Sequence, residues 1–194
     1  VVLARIGGTI AAATEQSPIV MGFLLGGIIK MICTSPLSSM ALTAMLGLDG
    51  LAMGIAAIAC VGGSFTNGLI FARLKLGDRS NIIAVMLEPL TQADIITSNP
   101  IPIYCSNFFG GGFAGISAAV FHIVNNAPGT ASPIPGLLAP FAFNPPTQVL
   151  LAVFFAVLGG CAAGLAGSMI FRKRIQVPKA DALASKDAGM ELEF

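Results

Sequence analysis

Tryptophan is missing from this sequence, tyrosine and histidine occur once each, and only 10% of the 194 residues are charged. A soluble domain carries about a quarter charged residues, so this chain cannot clothe itself in a water-facing surface. It has one histidine and four widely spaced cysteines, Cys33, Cys60, Cys105 and Cys161, with no C-x-x-C. That lacks the ligand cluster of a zinc site, and the cysteines, lying in apolar runs, read as small buried hydrophobes. No metal and no cofactor are expected. The formal net charge is +1, and no basic stripe with interleaved aromatics occurs, which excludes nucleic acid as a partner. The scarcity of Trp and Tyr also leaves the chain without the usual aromatic belt at a membrane boundary.

What is abundant points the other way. The chain is 55% hydrophobic, has mean hydropathy +0.87, and carries 23 glycines and 12 prolines. Those residues suit packed, kinked transmembrane helices. At about 20 residues per crossing, the length allows roughly five to seven membrane segments. The expected fold class is an all-α integral membrane protein, with polytopic transmembrane helices and re-entrant hairpins, and with the lipid bilayer as its first partner. Residues 1–174 form the membrane domain and the polar residues 175–194 a cytoplasmic tail. The chain opens at Val1, in apolar sequence and without Met, which reads as an N-terminally incomplete chain.

Taken in order, residues 1–13 are the end of a helix and Glu15–Pro18 a turn. Residues 19–33 are helical, with Lys30 snorkelling to the interface. The step Thr34-Ser35-Pro36-Leu37-Ser38-Ser39 is polar and proline-broken. The apolar run after it, to Leu48, suits a half-helix rather than a full span. Residues 51–72 are the clearest span, with Gly54, Gly62, Gly63 and Gly68 marking close helix contact and Ser64, Thr66 and Asn67 facing protein. Arg73, Lys75, Asp78 and Arg79 form a basic loop, cytoplasmic by the positive-inside rule. Residues 100–124 and 147–171 are further spans, the last closed by Arg172-Lys173-Arg174. Both basic stretches lie on one side if the two spans between them cross and residues 81–98 and 136–143 do not. His122 reads as an interfacial histidine.

The stretch from Met86 to Gly115 is the candidate site. Glu88 and Asp94 sit in strongly apolar sequence, and Pro89, Pro100 and Pro102 interrupt regular helix. A carboxylate at membrane depth is costly and marks function by default, and broken backbone is tolerated there only beside protein or a water-filled cavity. Residues 81–98 are therefore expected to form a re-entrant hairpin. Glu88 is expected to face a cavity, with Gln92, Asp94, Ser98 and Asn99 as further solute contacts. Ser38 and Ser39 would reach the same cavity from the first polar break, because facing half-helix tips build midplane sites. The bland alternatives are a helix cap at Glu88 and a plain turn at the Thr34–Ser39 step.

The same stretch resembles the membrane IIC components (EIIC) of the phosphoenolpyruvate-dependent sugar phosphotransferase system. Many of these carry Asn-Glu-Pro, then Asn-Pro followed by Ile-Pro, with Glu and Asn eleven residues apart. Glu88-Pro89 and Asn99-Pro100-Ile101-Pro102 keep that spacing. The Ser-Pro-Leu-Ser-Ser step at 35–39, the Gly50-Leu51-Ala52 span start and the Gly129-Thr130 loop are similar to the divergent branch that includes perfringolysin-regulator-like proteins. The resemblance spans roughly residues 19–145. Leu87 departs from the Asn of the better-known members, and no histidine precedes Glu88.

The resemblance implies a permease component that binds a small polar, sugar-like solute. It presents that solute for phosphorylation by separate cytoplasmic IIA and IIB components, whose phosphohistidine or phosphocysteine holds the chemistry. No catalytic residue falls on this chain. The resemblance implies the bacterial cytoplasmic membrane as location, and a homodimer is compatible with it. Two other classes stay open: a membrane regulator or sensor of the same fold without phosphotransfer, and an ion-coupled secondary transporter.

Overall fold

Proline sets where the helices of this protein begin. A proline at the first helical position costs no hydrogen bond, because that N–H has no intrahelical partner, and its φ is already helical. The computed structural model describes residues 2–172, and in it Pro18, Pro100, Pro133 and Pro146 each open a helix. The order is α1 (Val2–Gln16), α2 (Pro18–Thr34), α3 (Ser39–Leu46), α4 (Gly50–Leu74), α5 (Arg79–Leu87), α6 (Ala93–Ser98), α7 (Pro100–Val120), α8 (Pro133–Leu138) and α9 (Pro146–Ile170). Short 3₁₀ turns at Pro89–Gln92 and Ala139–Ala142 extend the α5–α6 and α8 segments. No strand occurs among the described residues, in line with the all-α expectation. The tail expected over residues 175–194 lies outside the described residues, as do Lys173 and Arg174.

The core is a bundle of α2, α4, α7 and α9, and small residues make it possible. In lipid there is no hydrophobic drive between helices, so association depends on close backbone approach and interhelical hydrogen bonds. Along the α2–α7 seam, Gly22 and Gly26 face Gly115 and Gly111, and a Cβ at Gly26 would stand 2.5 Å from the Gly111 carbonyl. The α4–α9 seam repeats the device at Gly62 and Gly160, where the Thr66 hydroxyl also donates to the Gly160 carbonyl at 2.8 Å. Buried Ile55, Ile58, Leu51 and Met53 of α4 fill the centre with Leu25, Ile29 and Val149.

The short segments are too short to cross. The nine residues of α5 rise about 13 Å, against a hydrocarbon core of about 30 Å. Residues 79–98 thus fold as helix, break and helix. The loop 121–132 returns the chain to the start of α4, where Asn125 N–H donates to the Gly50 carbonyl at 2.9 Å and Gly50 N–H to Asn126 Oδ1 at 3.1 Å. His122 sits exposed in that loop with positive φ.

Two expectations are corrected. The first helix continues to Gln16, leaving Ser17 alone between α1 and α2 rather than a four-residue turn. Lys30 does not snorkel. It is fully buried, because the α2–α7 approach is so close that its methylene stem lies in the space left by Gly63 and Gly111.

Candidate functional site

The two polar breaks are built by different local rules. At the first, α2 ends at Thr34, and Ser35 N–H donates back to the carbonyls of Met31 and Ile32 at 3.0 Å each. Pro36 forbids continuation. Ser38, extended, then caps α3 by accepting from the Ala41 N–H at 3.1 Å. At the second, Glu88 precedes a proline and is pushed out of helical geometry, to φ −146° and ψ 97°. Its backbone is nevertheless satisfied on both sides. The N–H donates to Ala84 at 2.8 Å, and the carbonyl accepts from Thr91 N–H at 3.1 Å and Thr91 Oγ1 at 2.7 Å.

These breaks meet. A pocket of about 60 Å³ is lined by Ser35, Ser38 and Ser39 of the first break, with Cys33, Leu37 and Met40, and by Glu88 and Leu90 of the second. Ser132, just before α8, completes it. The Ser39 hydroxyl is buried and donates to the Ala131 carbonyl at 2.6 Å, tying the start of α3 to the α8 loop. One carboxylate residue thus shares a pocket with serines that come from two other segments of the chain.

The other nominated residues are elsewhere. Gln92, Asp94, Ser98 and Asn99 do not line this pocket. Gln92 accepts from Asn81 Nδ2 at 2.7 Å. Asp94 and Ser98 are exposed on α6, where the Ser98 hydroxyl donates to the Asp94 carbonyl at 2.7 Å. Asn99 is buried at the α6–α7 junction and donates to the Ile95 carbonyl at 3.2 Å. Ser132 was missed by sequence reasoning. Its signal was present: like Glu88 and Asn99, it is a polar residue directly before a helix-opening proline.

A second polar centre lies inside the bundle. Asn107 Nδ2 of α7 donates to Asn67 Oδ1 of α4, and Asn67 Nδ2 donates to Thr34 Oγ1 of α2 at 3.4 Å. All three are buried, and Lys30 sits one turn before Thr34. The Lys30 ammonium and Asn107 Oδ1 are buried without a hydrogen-bond partner.

Two larger hollows, of about 460 and 480 Å³, lie on the outer seam of α7 and α9 and are lined mainly by Phe113, Phe109, Phe155, Phe121 and alanines. These two offer almost no polar group to orient a hydroxylated solute and suit acyl chains. A third, of about 470 Å³, is lined by Arg73, Leu74, Ser168, Met169 and Arg172 and does not include Glu88. No cluster of three or more His, Cys, Asp or Glu residues suited to a metal occurs among the described residues.

Comparison with known proteins gives one finding. Residues 1–185 match the family model described as "Phosphotransferase system, EIIC". No curated protein and no solved structure matches the chain.

Proposed function

The chain belongs to the phosphotransferase system EIIC family, and from that premise we propose that it binds a small hydroxylated solute, a sugar or polyol, at the Glu88 pocket. A member of this family is a membrane-embedded permease component that works with cytoplasmic IIA and IIB partners. The single observation that carries the solute assignment is the convergence of Glu88 with Ser38, Ser39 and Ser132 from separate segments. An ionised carboxylate accepts two or more hydroxyl hydrogens, and serine hydroxyls both donate and accept. That is the complement of vicinal hydroxyls on a ring or chain. Gln92, Asp94, Ser98 and Asn99 are left out of the first contact set.

At about 60 Å³ the pocket is far below the ~300 Å³ of an ordinary ligand cleft. It has room for a few waters, and Leu37, Ser38, Met40, Glu88 and Leu90 on its rim are exposed. A larger solute needs the Pro89–Gln92 turn and the Ser38–Ser39 step to move apart. Solute would then be carried inward and phosphorylated at the cytoplasmic face by the partner, in a multi-pass protein of the bacterial cytoplasmic membrane. The small pocket equally suits a regulator of the same fold that senses a solute without transferring phosphate.

Reconstituted protein, supplied with phosphoenolpyruvate and cytoplasmic phosphotransferase components, is assayed with a panel of hexoses and hexitols. Glu88→Gln is expected to weaken binding of the recognised solute at least tenfold, about 1.4 kcal/mol. Binding without phosphorylation would select the sensor reading. Unchanged binding by Glu88→Gln would remove the carboxylate from the site.

A further inference from the structure

The hollow between the ends of α4 and α9 differs in kind from the two on the α7–α9 seam. Arg73 and Leu74 of α4 line it together with Ser168, Met169 and Arg172 at the end of α9. Among the described residues no carboxylate lines it. Both arginines are exposed. Two like charges at one hollow repel, and an anion between them reverses the sign of that interaction.

The charges come together because α4 and α9 run side by side in the same direction. Gly62 faces Gly160, and further along a Cβ at Gly164 would stand 3.0 Å from both the Thr66 carbonyl and Leu69 Cβ. The two C-terminal ends therefore lie on one side of the bundle. The 25 residues of α9 rise about 37 Å, enough to cross a hydrocarbon core of about 30 Å. Arg172 follows two residues after the end of α9, and Arg73 lies in the last turn of α4. Both thus stand at headgroup depth. Lys75 and Arg79 follow at the α4–α5 turn, while the carboxylate there, Asp78, is engaged as a helix cap by the Asn81 N–H at 2.9 Å. By the positive-inside rule this boundary is cytoplasmic.

Each arginine offsets the negative end of its own helix. That accounts for one charge per helix, but not for a shared hollow beside an apolar face. Met169 lines the hollow and is exposed, and exposed Leu165 and Leu158 lie four and eleven residues before it on the same face of α9. A stripe of lipid-facing side chains thus runs from the bilayer interior up to the two arginines.

We propose that this hollow binds the phosphate headgroup of an anionic phospholipid of the cytoplasmic leaflet, with an acyl chain along Met169, Leu165 and Leu158. Guanidinium groups hold phosphate through paired N–H donors, and basic pockets between helices at the cytoplasmic boundary suit anionic headgroups. Free phosphate would satisfy the arginines but makes no use of the apolar stripe. The hollow shares no residue with the Glu88 pocket, so the lipid site stands or falls independently of the solute.

The test uses the full chain in a non-ionic detergent, with bound lipid counted by native mass spectrometry. Phosphatidylglycerol is the probe, phosphatidylcholine of the same chain length is the uncharged comparison, and glycerol 3-phosphate is the headgroup without chains. Phosphatidylglycerol is expected to be retained at least fivefold more than phosphatidylcholine. The double variant Arg73→Gln, Arg172→Gln is expected to lose that preference, while Arg79→Gln, a charge removed just outside the hollow, keeps it. Arg73→Lys with Arg172→Lys preserves the charge but not the paired donors, and is expected to lower the preference at least twofold. If the glutamine pair does not fold, the lysine pair decides, and an unchanged preference there overturns the site. An unchanged preference in a folded glutamine pair, or an equal loss in Arg79→Gln, also overturns it. Displacement of the lipid by an equal concentration of glycerol 3-phosphate would mean a soluble-anion site and overturn the lipid assignment.

Discussion

Helices α4 and α9 are equally long, 25 residues each, and both are rich in glycine and apolar side chains. Yet in their most apolar windows 83% of α4 is buried within the protein and only 33% of α9. The more hydrophobic helix is the one outside: mean hydropathy is 2.4 for α9 and 1.7 for α4. In water the ordering would be reversed. In a bilayer the polar residues Ser64, Thr66 and Asn67 force α4 inward, because only protein can satisfy them. Helix α9 keeps a single stripe of small residues, Ala152, Ala156, Gly160, Ala163 and Gly167, for the bundle and turns Leu150, Leu151, Phe154 and Leu158 outward.

The comparison can be broken most severely at the seam that joins the two helices. Gly160→Leu would drive a side chain into the Gly62 carbonyl, which cannot swing aside. A loss of about 3 kcal/mol or more is expected, visible as failure to resist unfolding in mixed detergent micelles. A mild effect would mean that the α4–α9 contact is looser than described. Next in size is Asn67→Leu, which removes bonds to both Thr34 and Asn107 at the centre of α4. A loss of about 1–2 kcal/mol is expected in the same unfolding assay. A stabilised variant would show that hydropathy alone, and not polar pairing, decides which helix is inside.

Thr66→Val sharpens the comparison more gently. It keeps the shape and deletes one interhelical hydrogen bond to Gly160, at an expected cost of about 0.6 kcal/mol. The smallest effect is reserved for the outer face of α9. Leu158→Ala should shift stability by no more than about 0.5 kcal/mol, because lipid tails are as apolar as the side chain removed. A loss above about 1 kcal/mol there would show that another protein surface, such as a second copy, covers that face. Cross-linking at position 158 would then identify it.

Much of the scaffold was legible because its signals are local. The long span of α4, its glycine and polar faces, and the short proline-broken segments follow from hydropathy, small-residue spacing and the missing N–H of proline. The candidate site was legible only in part. Every polar residue before a proline looks alike in sequence: Ser17, Ser35, Glu88, Asn99, Ser132 and Asn144 all qualify. Glu88, Ser35 and Ser132 converge on one pocket, while Asn99 packs at the α6–α7 junction and does not. Lys30 misled for the same reason. A lysine near the end of an apolar run ordinarily reaches the interface, and nothing on α2 announces that Gly63 and Gly111, from two other helices, leave room to bury it.

Membrane residence, helical class and the positions of the helix breaks were thus determined by the sequence alone, since each depends on a residue and its near neighbours in the chain. Tertiary structure decided which breaks share a pocket, which of two similar helices lies at the centre, and that Lys30 is buried between α4 and α7. Those outcomes depend on how closely separate helices approach, and that distance is set by pairs of glycines far apart in the chain.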